Sequence, residues 1–226
     1  MPHAITIDKN EVLRYLGWQG QAYDEQLNAL LDKTIADCLA CAAPKSVLRT
    51  FPLVREAAGI ALAGTPLILP GEDIQAHMCG TVRACLLAAT LGPTVDSAIR
   101  RLSYTDMTAS VIFNAAATVL IEAYCDDMEQ AHKAEAAASG LFGNARFSPG
   151  YGDLPLTLQP GILRVLQAEK AIGLTCTPSL ILTPSKSVTA VWGLFLHPPQ
   201  KCATDKCARC PSAGHCAYGR YSTEKE

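Results

Sequence analysis

The stretch Thr81-Val82-Arg83-Ala84-Cys85-Leu86-Leu87-Ala88-Ala89-Thr90 decides how the rest of the chain is read. It is an apolar run ended by Gly92-Pro93, and it predicts a buried strand. The next segment lacks the single crossover helix of a βαβ unit. Two helices come in succession, the first over roughly 94–102. The second opens at the capping pair Thr105-Asp106 and runs to about Ser139, before Gly140. Upstream, Leu27, Leu30, Leu31, Ile35, Cys38 and Leu39 recur at spacings of three and four after Asp24, predicting a helix that Pro44 stops. Residues 46–69 change to short runs rich in β-branched residues and Leu, cut by Gly59, Gly64, Pro66, Pro70 and Gly71, and read as two or three strands. Downstream lie a Gly/Pro-rich loop (143–155), a helix over 161–173, and strands around 179–182 and 187–195. Strands and helices mix without βαβ alternation, so the expected class is α+β. The expected architecture is a twisted, mainly antiparallel sheet with flanking helices, one of them long and central, plus a small C-terminal Cys-rich segment. The boundary falls at His197-Pro198-Pro199, giving a main domain over 1–196 and a tail over 197–226.

Composition narrows the function. The chain has 226 residues, 49% hydrophobic and 18% charged, enough for a real core and too little charge for disorder. Lys+Arg 19 against Asp+Glu 21 leaves a net charge of −2, which argues against a nucleic-acid partner. The first residues lack a basic segment followed by an apolar run, so no export signal is read there. The longest apolar stretch, 109–124, carries Asn114 and Glu122 and is too short to span a bilayer. A cytoplasmic protein with reduced thiols and no membrane partner is expected.

The loop after the long helix, Asn144-Ala145-Arg146-Phe147-Ser148-Pro149-Gly150-Tyr151-Gly152-Asp153, is dense in residues suited to ligand binding. Gly150 and Gly152 permit close backbone approach, Pro149 and Pro155 stiffen the loop, Arg146 offers a fork for a carboxylate, and Tyr151 an aromatic face with a hydroxyl. On the helix before it, Asn114, Thr118 and Glu122 are spaced by four and form a polar stripe in apolar surroundings. A carboxylate there needs a partner, either a local Arg or a ligand.

Arg146-x-x-x-Gly150-Tyr151, followed by Leu166-Gln167-Ala168-Glu169-Lys170-Ala171-Ile172-Gly173 and by Thr183-Pro184-Ser185-Lys186-Ser187-Val188-Thr189, resembles the activation (reactivation) domain of cobalamin-dependent methionine synthase. The likeness runs over roughly 80–195. It implies binding of S-adenosylmethionine and reductive reactivation of a corrinoid methyltransferase, with the ligand's methyl group presented to cob(I)alamin on a partner. Cobalamin itself would come only through that partner, a corrinoid-binding protein or split methionine synthase. An electron-donor protein is a further implied partner. By position, the ligand-binding set is Glu122, Arg146, Phe147, Gly150 and Tyr151, with Arg146 on the methionyl carboxylate and Glu122 on the ammonium. No residue acts as a general base. The family reads Arg-Pro-Ala-Pro-Gly-Tyr-Pro where this chain has Phe147-Ser148 and Gly152, and its N-terminal acidic contact is matched only loosely by Asp8 or Asp24. Trp192 stands near the family's aromatic contact and is not assigned that role.

Of the ten cysteines, Cys202, Cys207, Cys210 and Cys216 form C-x4-C-x2-C-x5-C. Four soft ligands in a short turn-rich segment fit an iron–sulfur cluster or a zinc ion. The electron demand of corrinoid reduction favours the cluster. A non-catalytic metal-binding accessory or electron-transfer protein is the alternative reading. Cys38-Leu39-Ala40-Cys41 lies inside a helix and is read as core, and Cys79, Cys85, Cys125 and Cys176 as buried thiols. Gln75-Ala76-His77-Met78-Cys79-Gly80 approaches a corrinoid-ligand motif but lacks its Asp, so His77 is expected in a loop or at an edge.

Overall fold

A computed structural model of the chain describes residues 5–198. In chain order the elements are α1 (Lys9–Tyr15), α2 (Glu25–Cys41), β1 (Lys45–Glu56), β2 (Gly59–Leu62), β3 (Ile68–Leu69), α3 (Glu72–His77), β4 (Arg83–Thr90), α4 (Pro93–Thr105) and α5 (Met107–Ala138). Then come β5 (Phe142–Gly143), a 3-10 turn at Leu156–Leu158, α6 (Gln159–Leu166), α7 (Ala168–Ile172), β6 (Thr175–Cys176), β7 (Leu182–Thr183) and β8 (Ser187–Phe195).

The apolar run read as a buried strand is β4, at the centre of a six-stranded sheet of order β3-β2-β1-β4-β8-β5. Every pairing is antiparallel. β4 lacks the polar alternation of a half-exposed strand because both of its faces are covered. Cys85, Leu87 and Ala89 enter one core with Trp192, Leu194 and the apolar side of α5; Ala84, Leu86 and Ala88 enter a second with Ile74, Ile162, Leu166 and Ile172 from α3, α6 and α7. The α+β expectation holds, with helices on both sides of one antiparallel sheet.

α5 supplies the long central helix. Asp106 opens it, its carboxylate accepting from the Ala109 N–H at 3.0 Å, and Gly140 at φ 73° follows its end. Its 32 residues reach about 48 Å, so by length and composition it could cross a membrane. The expectation that this segment is too short to span, taken from residues 109–124 alone, is thereby corrected. In the fold, 67% of its most apolar stretch is buried against the rest of the protein, as in a core helix.

Other elements depart from expectation. α1 and α3 fall where no element was expected, and His77, expected in a loop or at an edge, is the last residue of α3. The single helix over 161–173 is two, because Gln167 adopts a left-handed conformation (φ 53°) that ends α6 and starts α7. The strand at 179–182 is replaced by a two-stranded ladder pairing Cys176 with Leu182. Cys38 is buried as expected, and burial pushes its thiol up to about 12, away from the reactive thiolate form. Cys85 and Cys125 are buried thiols, whereas Cys79 is exposed and Cys176 half-buried. The four tail cysteines lie outside the described residues. Among the described residues, no group of three or more His, Cys, Asp or Glu is arranged to hold a metal ion.

Candidate functional site

Glu122, Asp126 and Glu129 fall on one stripe of α5, because steps of four and three residues bring side chains to the same helix face. All three converge on Arg146. Its Nη2 donates to Glu122 at 2.6 Å, while Nη1 donates to Glu129 at 3.0 Å and to Asp126. The three carboxylates differ in setting. Glu129 is 10% exposed and also takes Lys133 Nζ at 2.5 Å, whereas Glu122 and Asp126 are 47% and 57% exposed. The Arg146 side chain is 13% exposed. Burial works against its charge, but the hydrogen bonds and charges of Asp126 and Glu122 outweigh burial and raise its pKa.

The loop is held in place from both ends. Phe147 and Val191 exchange backbone hydrogen bonds of 2.7 and 2.8 Å, extending the β8 edge. Asn144 bridges two elements, accepting from the Gly193 N–H at 2.7 Å and donating to the His77 carbonyl at 2.7 Å. His77 Nε2 donates to the Ala145 carbonyl at 2.7 Å, and its ring lies 5.3 Å from that of Phe147. His77 thus braces the loop. At the far end, the Asp153 carboxylate accepts from the backbone N–H groups of Glu72 and Asp73 at the start of α3. Gly152 (φ 51°) sits so close to Asp73 that a Cβ there would collide with its carboxylate.

Among the site residues expected from sequence, Glu122 and Arg146 are in direct contact. Tyr151 is 65% exposed, and burial followed by the nearby Glu122 charge raises its pKa. Gly150 (φ 93°) donates to the Leu154 carbonyl at 2.8 Å and turns the chain between Phe147 and Tyr151. Phe147 points the other way, against the α3/α6/α7 core. Sequence reading missed Asp126 and Glu129, although their spacing from Glu122 was a usable signal. Thr118 accepts from Lys186 Nζ at 2.8 Å, so the upper part of the stripe is tied to the start of β8. Trp192 is fully buried beneath α5. Asp8 and Asp24 cap α1 and α2 through the Asn10 and Leu27 N–H groups.

Three carboxylates against Arg146 and Lys133 leave one negative charge in excess. Such a cluster suits a ligand that brings a carboxylate for the guanidinium and positive charge for the remaining acids.

The fold and this cluster define an α+β domain with a carboxylate–guanidinium site between a central helix and a Gly-rich loop. No family model matches the sequence, and no curated protein matches it. Among solved structures, the MetH reactivation domain bound to AdoHcy (S-adenosylhomocysteine) shares the fold at a TM-score of 0.63. The match covers 86% of this chain and 75% of that chain at 20% identity. The resemblance drawn from the Arg146–Tyr151 loop therefore extends to the fold.

Proposed function

We propose that this chain binds S-adenosylmethionine at the Glu122–Arg146–Tyr151 site and serves the reductive reactivation of a corrinoid methyltransferase held on a partner protein. The observation that supports this most is the convergence of Glu122 and Arg146 beside a Gly150-Tyr151 loop, in a fold shared with an AdoHcy-bound domain. Arg146 holds the ligand's carboxylate, Glu122 and Asp126 take its ammonium, and Gly150 lets the backbone come close. Tyr151, largely exposed, covers the ligand from the solvent side. Bound S-adenosylmethionine supplies an electrophilic methyl group. The chain's own contribution is to orient that group and exclude water, without acid–base chemistry.

The spacing of Cys202, Cys207, Cys210 and Cys216 adds a soft-metal site to this proposal, an iron–sulfur cluster in preference to zinc, able to pass an electron toward the corrinoid. Such work belongs in the cytoplasm, where thiols stay reduced.

Isothermal titration of the full chain with S-adenosylmethionine tests the ligand. Saturable one-to-one binding is expected, and no heat with or without a corrinoid protein present would remove the proposal. Iron and sulfide analysis after anaerobic purification tests the tail, where a colourless protein holding one zinc would remove the electron-carrier role.

A further inference from the structure

The three carboxylates on Arg146 are not equivalent. Glu129 is nearly sealed, is bonded on one oxygen to Arg146 Nη1 at 3.0 Å and on the other to Lys133, and rises from the middle of a long packed helix. Glu122 and Asp126 are each about half exposed and meet Arg146 from the solvent side. A ligand carboxylate presents the same two oxygens as these side chains, so it can replace them on the guanidinium with little change in charge or hydrogen bonding. It cannot replace Glu129, whose second oxygen is tied to Lys133 and whose burial makes an unpaired charge expensive.

We infer that Glu129 is a positioning residue that fixes Arg146 for an α-amino-acid carboxylate, while Glu122 and Asp126 occupy that carboxylate's place until the ligand arrives and then turn to its ammonium. The inference rests on the reading of the site as an S-adenosylmethionine site. It adds a division of labour that the Arg146–Tyr151 loop does not reveal. Arg146 alone, on a loop, has several rotamers. The salt bridge to Glu129 selects one before binding, which lowers the ordering cost when the ligand docks.

The test compares two probes by titration, S-adenosylhomocysteine with its amino-acid end and 5′-methylthioadenosine without it. Glu129→Gln is expected to weaken S-adenosylhomocysteine at least 10-fold and leave 5′-methylthioadenosine within 2-fold. Asp126→Asn, which removes a placeholder but also one of the two acids that take the ammonium, is expected to weaken S-adenosylhomocysteine by clearly less than Glu129→Gln. Glu129→Asp keeps the charge on a shorter arm and is expected to give an intermediate loss; it carries the test should Glu129→Gln not fold. Equal weakening of both probes in Glu129→Gln, or an Asp126→Asn loss as large as that of Glu129→Gln, would overturn the inference. If wild-type protein binds S-adenosylhomocysteine and the Glu129 variants match it, only the positioning role fails. If the wild type binds neither probe, the functional reading fails first and takes this inference with it.

Discussion

Two polar clusters sit along α5 less than one helical turn apart, and they are built on opposite principles. The first, around Arg146, is ionic, reaches solvent through Glu122 and Asp126, and comes from a loop. The second is neutral. His132 Nε2 lies 3.2 Å from Thr50 Oγ1 and 3.8 Å from Cys85 Sγ, and its ring meets Trp192 edge-on at 5.4 Å. Thr50, Cys85 and Trp192 are cross-strand neighbours on β1, β4 and β8, so this cluster is a row of the sheet itself. Among the described residues, His132 Nδ1 and Trp192 Nε1 are buried there with no hydrogen-bond partner. The neutral cluster is built into the sheet, buried at Cys85 and Trp192 and half-buried at Thr50 and His132, while the ionic one keeps its charges near water. Charge at the open cluster costs little stability because its outer members stay solvated.

The contrast can be broken from either side. Trp192→Ala should produce the largest effect, a loss of about 3–5 kcal/mol of stability from the cavity it leaves, read by denaturant unfolding. A small loss there would mean that the neutral cluster is not structural. Arg146→Ala should do the reverse. Ligand affinity should fall by about 2–3 kcal/mol, since charge-assisted hydrogen bonds are lost. Stability should change less, because Glu129 keeps Lys133. Unchanged affinity would place the carboxylate elsewhere. Asp153→Ala should cost about 1 kcal/mol by uncapping α3, visible as a lower unfolding midpoint.

The smallest effect is one of pH. Burial lowers the His132 pKa below its ordinary value of 6.5, with the Glu135 charge opposing. The unfolded chain therefore takes up a proton before the folded one does. The His132 contribution is fully present above about pH 6.5 and is lost as pH falls from there through the folded pKa. Stability followed from pH 7.5 to 5 should decline, and His132→Phe should flatten that part of the slope. An unaltered slope would show that folding does not shift the His132 titration.

Much of this was legible in the chain and some was not, for definite reasons. β4, β8 and α5 are written in long apolar runs whose period and caps leave little choice. The 143–155 loop announces itself by glycine and proline. α1 and α3 are short, with few apolar positions, so no period emerges from them. The break at Gln167 carries neither Gly nor Pro; α6 and α7 wrap the sheet there, and tertiary packing sets the left-handed residue. Glu122 was found because it stands in an apolar stretch. Asp126 and Glu129 sit where the helix turns polar, and such charges usually belong to a solvated face. Only the fold brings Arg146 over them.

The loop is anchored at both piers. At Phe147 it is stitched into the β8 edge by paired backbone bonds and backed by an aromatic ring against the second core. At the other end the Asp153 carboxylate holds the first N–H groups of α3, and Leu154 beside it is 1% exposed in that same core. Between them Pro149 is buried and Tyr151 is left facing solvent. A span clamped in this way keeps its shape before anything binds, so a guest meeting Tyr151 has little loop left to order.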